Sequence, residues 1–316
     1  MIRIGTRSSE LALRQARIVE AALALQGFAC DLVTFKTTGD KKLDEPLSSI
    51  GAKGLFTHEL EVALAKGKVD CCVHSLKDLP TENPDGLEII AVLEREDPRD
   101  VLVVNAVTEA DSLMAIPAGS RVGTSSLRRR AQLSSLRPDL EVVELRGNVP
   151  TRLKKVDEGR VHAAILAAAG LIRLNARQHI KEYLEPPAWL PAAGQGAIAV
   201  QIRADDEEMT TLFEPLDHAP TSIAVRAERA FLAALEGGCQ VPIGALAMPG
   251  EDGALTLHGF VSDIGGRDRV RGSIAVDRSS PEESGQQLAA DLRTRGATSL
   301  LLELRNSAQT IAPQPE

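Results

Sequence analysis

Two rhythms alternate along the chain. Short apolar runs of strand length, starting with Met1-Ile2-Arg3-Ile4-Gly5, are followed by stretches of helical spacing, starting with Leu11 to Leu25. The alternation repeats. Arg3-Ile4-Gly5-Thr6-Arg7-Ser8 returns as Arg121-Val122-Gly123-Thr124-Ser125-Ser126, and a helical pattern follows each, the second over Leu127 to Leu136. Strand-like runs come next, Asp31 to Lys36 and Glu141 to Leu145, and then the turns Gly39-Asp40 and Gly147-Asn148. Gly67-Lys68-Val69-Asp70 and Gly159-Arg160-Val161-His162 lead into the apolar runs Cys71-Cys72-Val73 and Ala163-Ala164-Ile165-Leu166. Correspondences kept in this order indicate an internal duplication. Strand–helix–strand alternation predicts parallel sheets covered by helices, and ligands of such units bind beyond the carboxyl ends of the strands.

Two crossings between the units are expected, near Asp97-Pro98-Arg99-Asp100 and near Pro191 to Gly196. After the second, Ala197 to Ile202 returns as a strand of the first sheet, and the paired crossings make a hinge. The polar stretch Thr37 to Gly54 reads either as a loop over the cleft or as an ordinary surface loop. A third unit follows Pro220. Thr221 or Ser222 caps a helix running to about Glu236, with Gly237 as its stop. Ile243–Ala247, Leu255–Val261 and Arg269–Val276 alternate as an antiparallel sheet, and Pro281 opens a last helix through about Arg295. The expected division is therefore 1–97 with 197–217, 101–191, and 220–316.

Composition narrows the chemistry. A formal net charge of −8 disfavours a nucleic-acid or membrane surface, so any anion site must come from local placement of arginines. Aromatic residues make up only 3%, too few for base-stacking platforms. The four cysteines, Cys30, Cys71, Cys72 and Cys239, lack metal-ligand spacing, so no metal is expected. Neither a leader pattern nor a long apolar span is present, which makes the cytoplasm the expected compartment and free thiols the expected state. A monomer is expected.

Three sets of residues carry candidate chemistry. Cys239 stands in Glu236-Gly237-Gly238-Cys239-Gln240-Val241-Pro242, a glycine-framed turn where a thiol is either open to modification or a small structural residue. Arg7, Arg128, Arg129, Arg146, Arg152 and Arg173 follow predicted strands or open predicted helices, where unpaired N–H groups already favour anions. The planar guanidinium fork suits carboxylates, and a sheltered charge-assisted bond contributes about 1.5–3 kcal/mol. Arg130, third in its run, reads as a solvated face. Asp78, in His74-Ser75-Leu76-Lys77-Asp78-Leu79-Pro80, ends a strongly apolar strand and serves either as an acid–base or electrostatic group or as a helix cap.

Taken together, Arg7-Ser8-Ser9-Glu10-Leu11-Ala12, Gly54-Leu55-Phe56, His74 to Pro80, Gly123 to Arg129, Arg146-Gly147-Asn148 and Gly237 to Pro242 resemble the porphobilinogen deaminase (hydroxymethylbilane synthase) family. The resemblance implies two similar α/β lobes of periplasmic-binding-protein-like form around a cleft, plus a smaller C-terminal α+β domain with a three-stranded antiparallel sheet. It implies head-to-tail condensation of four porphobilinogen molecules with loss of ammonia, on a dipyrromethane cofactor held by a thioether, here to Cys239. Asp78, Arg7 and Lys77 would be catalytic, with Asp78 stabilising cationic pyrrole nitrogens. Ser75, Thr124, Ser126, Arg128, Arg129, Arg146 and Gly147, with Asp78 and Lys77, would hold the cofactor. Arg7, Ser9, Gln15, Lys53, Phe56, Arg146, Arg152, Arg173 and Gln195 would meet the substrate, although Phe56 also reads as a core residue. Pro150 departs from the glycine or small polar residue expected of relatives, which bears on the geometry around Arg152.

Two rival readings remain at the level of sequence. One is a non-catalytic protein whose two lobes clamp a small anion. The other is a thiol hydrolase pairing Cys239 with a histidine such as His58, His74, His162 or His179, none of which lies in a nucleophile–base motif.

Overall fold

The computed structural model describes residues 1–41, 54–236, 241–250 and 253–311. The first lobe begins with β1 (Ile2–Arg7), α1 (Glu10–Leu25), β2 (Cys30–Phe35), the single turn α2 (Thr38–Lys41), α3 (His58–Ala65), β3 (Cys71–Ser75) and β4 (Leu87–Val92). The second contains β5 (Asp100–Val104), β6 (Arg121–Gly123), α4 (Leu127–Leu136), β7 (Glu141–Val143), α5 (Val149–Asp157), β8 (Ala163–Ala167), α6 (Ala168–Arg173) and β9 (Ile180–Leu184). β10 (Ile198–Arg203) and α7 (Glu207–Phe213) return to the first lobe.

The sheet orders are β2-β1-β3-β10-β4 and β7-β6-β8-β5-β9, the same arrangement twice. Even the local clips match. The backbone N–H of Arg3 donates to Asp70 Oδ2 (2.7 Å), and that of Arg121 donates to His162 Nδ1 (2.8 Å). In return Asp70 N–H reaches Arg3 O and His162 N–H reaches Arg121 O, both at 2.9 Å. Gly5 lies against Cys72 and Gly123 against Leu145 so tightly that a Cβ would approach to 2.9 and 2.7 Å. These contacts explain why the two copies share a glycine in their first strand.

Both sheets are mixed, which corrects the expected parallel form. β10 runs antiparallel to β3 and β4, and β5 runs antiparallel to β8 and β9. Each of these strands enters its sheet directly from a crossing, and only a covering helix would have returned it parallel. Cys71 and Cys72 point to opposite faces of β3 and join separate apolar clusters, one with Ile4, Val19 and Phe213, the other with Leu60, Leu64 and Val69.

The C-terminal unit comprises α8 (Ala219–Ala234), β11 (Ile243–Pro249), β12 (Leu255–Ser262), β13 (Arg269–Ala275), α9 (Pro281–Leu292) and α10 (Thr298–Ile311). Its antiparallel sheet is as expected, and its core joins Phe231, Leu257, Val261, Leu288 and Leu292. Two helix boundaries differ. Neither Thr221 nor Ser222 caps α8: the cap position is His218, three residues before Thr221, and both lie inside the helix. The helix from Pro281 is not the last, because Gly296 (φ 112°) bends the chain and α10 continues beyond it. The expected stop at Gly237 and most of the stretch before Gly54 lie outside the described residues.

The two crossings run side by side. Glu96 N–H donates to Gly196 O (3.2 Å), and a Cβ on Gly196 would come within 2.3 Å of Glu96 O. The C-terminal unit is locked to this pair by one carboxylate. Buried Glu228 of α8 accepts from Arg95 Nη1 (2.6 Å) and Nη2 (3.0 Å), Gly194 N–H (2.7 Å) and Ala247 N–H (2.9 Å). Breaking a buried pair leaves an uncompensated charge and costs about 3–5 kcal/mol. Glu228→Ala is therefore expected to lower unfolding stability by that amount in urea titration; a midpoint unchanged from the parent would contradict the lock.

Candidate active site

The carboxyl end of β3 runs into a short turn, Leu76–Asp78, closed by Leu79 N–H on Leu76 O (3.1 Å) and anchored by Leu76 N–H on Ala197 O (3.0 Å). Buried Leu76 thereby turns Lys77 and Asp78 toward the second lobe. Lys77 Nζ donates to Gln195 Oε1 (3.2 Å). Among the described residues no hydrogen bond reaches the Asp78 carboxylate, whose charge acts on Lys77 and Arg152. Asp78 is thus not a helix cap here. Burial pushes the Lys77 ammonium down to about 8, with Arg129 and Arg128 adding to the fall while Asp78 and Asp100 oppose it.

Opposite stands a carboxylate that sequence reasoning missed. Asp100, first residue of β5 and fully buried, accepts from Arg128 Nη1 (2.6 Å), Arg129 Nη2 (2.7 Å) and Nε (3.1 Å), Trp189 Nε1 (2.8 Å) and Gln195 Nε2 (2.8 Å). Burial alone would raise the Asp100 carboxyl, but the two guanidinium groups overcome it and hold the acid well below the usual carboxylate range. Arg128 also donates to Leu190 O (2.7 Å) and Arg129 to Ile165 O (2.9 Å). The two arginines expected to face ligand carboxylates are therefore buried and share an internal one. Gln195 joins the lobes, since its amide spans Lys77, Pro98 O and Asp100.

The start of α5 supplies the remaining cations. Gly147, at φ 117°, takes a backbone shape that disfavours any side chain, and a Cβ there would meet Thr151 at 2.7 Å. Asn148 caps the helix by accepting from Thr151 N–H (2.9 Å) and Oγ1 (2.7 Å). Pro150 is the second helical residue, where a missing N–H costs nothing, and Arg152 N–H still closes onto Asn148 O (3.0 Å). Arg152 Nε donates to Gly147 O (2.7 Å), so the departure at Pro150 leaves this arginine well placed. Its guanidinium is pushed down to about 10 by burial and by Arg129 and Arg146, with Asp78 and Glu144 opposing.

Other candidates resolve differently. Arg7 lies over the Phe56 ring at 4.4 Å, and that ring packs on Gly39, so Phe56 is first of all a platform for Arg7. Ser9 caps α1, and buried Gln15 exchanges hydrogen bonds with Ser75 (2.7 and 3.0 Å). Ser126 caps α4, while buried Thr124 accepts from Ser126 N–H (3.2 Å). In the structure these hydroxyls and this amide act within the fold. Arg173 reaches Gly196 O (2.7 Å) at the second crossing, and burial pushes it down to about 10 despite Glu96. Lys53 and Cys239 lie outside the described residues. His74 is buried and held neutral, burial pushing its imidazole down to about 4.

A surplus of buried and half-buried cations around one open carboxylate suits a ligand that carries several acids and a developing positive charge. Comparison with known proteins identifies the family of the chain. The model of the porphobilinogen deaminase dipyromethane cofactor binding domain matches residues 2–211, and that of the porphobilinogen deaminase C-terminal domain matches residues 222–294. The chain belongs to the porphobilinogen deaminase family. A porphobilinogen deaminase of Moorella thermoacetica is 53% identical over 306 residues, 96% of either chain. One of Geobacter sulfurreducens is 47% identical over 305 residues, 96% of this chain and 94% of the relative. Among solved structures, a methionine-binding protein, MetQ, aligns with a TM-score of 0.44 and 14% identity over 74% of this chain and 94% of its own. The two-lobe description rests on the sheets themselves. No helix among the described residues is long and apolar enough to cross a membrane.

The donor set fits the family's cofactor. Among the described residues, Lys77, Arg128, Arg129 and Arg152 outnumber Asp78, Asp100 and Glu144, which leaves this part of the structure net cationic. Asp100→Asn keeps the shape of the hub but leaves two buried guanidinium groups without a counter-charge. It is expected to cost about 3–5 kcal/mol at pH 7. Because the folded Asp100 is depressed, its contribution is present above the ordinary carboxylate range and is lost as pH falls. The gap between parent and variant in urea unfolding should therefore shrink on going from pH 7 to pH 3; a gap independent of pH would count against the hub.

Proposed function

We propose that this chain joins four porphobilinogen molecules head to tail, releasing ammonia at each addition, and liberates linear hydroxymethylbilane. The observation that carries the reading is the open Asp78 carboxylate facing a surplus of arginines and Lys77 where the two lobes meet. The dipyrromethane group, bound as a thioether to Cys239, supplies the primer on which the chain grows. Arg146 and Arg152, with whatever donor capacity Arg128 and Arg129 retain beside Asp100, hold acetate and propionate groups. Asp78 accepts hydrogen bonds from ring nitrogens and stabilises the positive charge that develops as the amine leaves. Arg7, on its Phe56 platform, sits beside the same mouth and steers the incoming acid groups. Lys77 keeps its charge at neutral pH and shields the carboxylates gathered near Asp78. Gln15, Ser9, Thr124, Ser126 and Gly147 fix the backbone that presents these groups, and Lys53, Gln195 and Arg173 complete the substrate contacts. The working unit is a cytoplasmic monomer with the three-way division 1–97 plus 197–217, 101–191 and 220–316.

Intact mass under denaturing conditions tests the reading directly. The protein is expected to weigh more than its sequence by one dipyrromethane, and Cys239→Ser is expected to lose the adduct. A chain of bare sequence mass that binds anions reversibly would instead be a binding protein.

The lysine gives a pH prediction. Its folded value of about 8 lies below the ordinary 10.5, so the native ammonium deprotonates as pH rises through 8. kcat/KM for porphobilinogen should fall above about pH 8, and Lys77→Arg should displace that limb to higher pH. A limb that stays in place in the Arg variant removes Lys77 from substrate binding.

A further inference from the structure

Arg229 lies on α8, in the C-terminal unit, yet its hydrogen bonds go to the first lobe. Nη2 donates to Pro80 O (2.7 Å) and Thr81 O (3.3 Å), and Nη1 donates to Leu79 O (3.4 Å). These are the three carbonyls immediately after Asp78. Pro80 has no N–H, and the chain there has left the β3 ladder, so neither helix nor sheet pairing fixes this stretch.

The guanidinium is half-buried, and among the described residues no carboxylate pairs with it. Burial pushes it down to about 10 with no opposing acid. A sheltered cation balanced only by carbonyl dipoles is costly to keep, which argues that it performs a task. One helical turn before it on the same face, Val225 packs with Leu76 and Leu79, the apolar residues that flank Lys77 and Asp78. Helix α8 therefore grips the turn twice, with a methyl contact from below and a three-carbonyl clamp on the exit. The same helix ends at Ala234, five positions before Cys239.

We propose that Arg229 is a positioning residue for Asp78: it clamps the chain leaving Asp78 onto the helix that leads to Cys239, and so sets the aspartate relative to the tethered primer. The inference rests on the function proposed above. Apolar packing at Val225 stabilises the interface, but it slides easily along the helix. Directional bonds from one rigid fork to successive carbonyls do not, so registration falls to Arg229.

The test uses the full-length protein with its adduct. Arg229→Gln is expected to keep the adduct mass and to hold KM within about twofold, while kcat per folded molecule falls on the order of 10- to 100-fold, the scale of a misplaced catalytic group. Arg229→Lys, which keeps the charge and donates to fewer carbonyls at once, should recover part of that loss. Val225→Ala loosens the same interface and should lower the urea midpoint while leaving kcat within about twofold. If Arg229→Gln carries the adduct and turns over at the parental kcat, the clamp is wrong. It is equally wrong if Val225→Ala and Arg229→Gln lose kcat alike, because the effect would then be general loosening. Parent protein with neither adduct nor turnover overturns the underlying function, and the positioning role with it.

Discussion

Arg128, Arg129, Trp189 and Gln195 are arranged around the Asp100 carboxylate. It is removed from water, and such a group survives ionised only if donors surround it. Arg128 and Arg129 on α4, Trp189, and Gln195 on the second crossing all supply donors. Gln195 passes the constraint on to Lys77 in the other lobe. One acid thereby fixes the direction of two guanidinium groups, an amide and an ammonium. Two positive charges set against one negative charge leave the hub cationic, so the cleft attracts acids although the chain as a whole carries −8.

A second carboxylate plays the matching structural part for the C-terminal unit. Glu228 takes Arg95 from the first crossing, Gly194 N–H from the second and Ala247 N–H from β11. The two crossings, β11 and α8 thus share one fully satisfied acid. α8 also carries Val225 and Arg229 to the back of the Asp78 turn. The lobes carry the cations and the aspartate, and the third unit holds the turn around that aspartate through Val225 and Arg229.

The hydroxyl and amide side chains around the site follow a different logic from the arginines. Ser9, Ser126 and Asn148 each close a helix start with a side-chain acceptor, and Gln15 with Ser75 ties α1 to β3. A short polar side chain beside orphan N–H groups is taken up locally, because the partner is always within reach. A guanidinium is long and carries several donors. Arg152 can spare one for Gly147 O and still present the rest. The positive charge around the Asp78 turn therefore resides in its long cations, and the local geometry in its short polar residues.

The duplicated order of strands and helices was legible in the chain, because each copy carries the same short local signals in the same order, among them Gly5 and Gly123 in the first strands and the glycine turns at Gly67 and Gly159 before β3 and β8. The family motifs named Asp78 and the arginines as candidates, since each is part of a short continuous segment, but not the internal carboxylate that Arg128 and Arg129 share. The antiparallel insertion of β5 and β10 was not legible, because hydrophobic alternation has no direction. Nor was the resumption of helix after Gly296, whose left-handed backbone reads in sequence as a stop. Asp100 lies 28 residues from Arg128 and 95 from Gln195, and Arg229 lies about 150 from the carbonyls it holds. Local composition fixes which groups exist and what secondary structure carries them. Only the folded chain decides which charge meets which, because burial turns a distant acid into the strongest neighbour a guanidinium has.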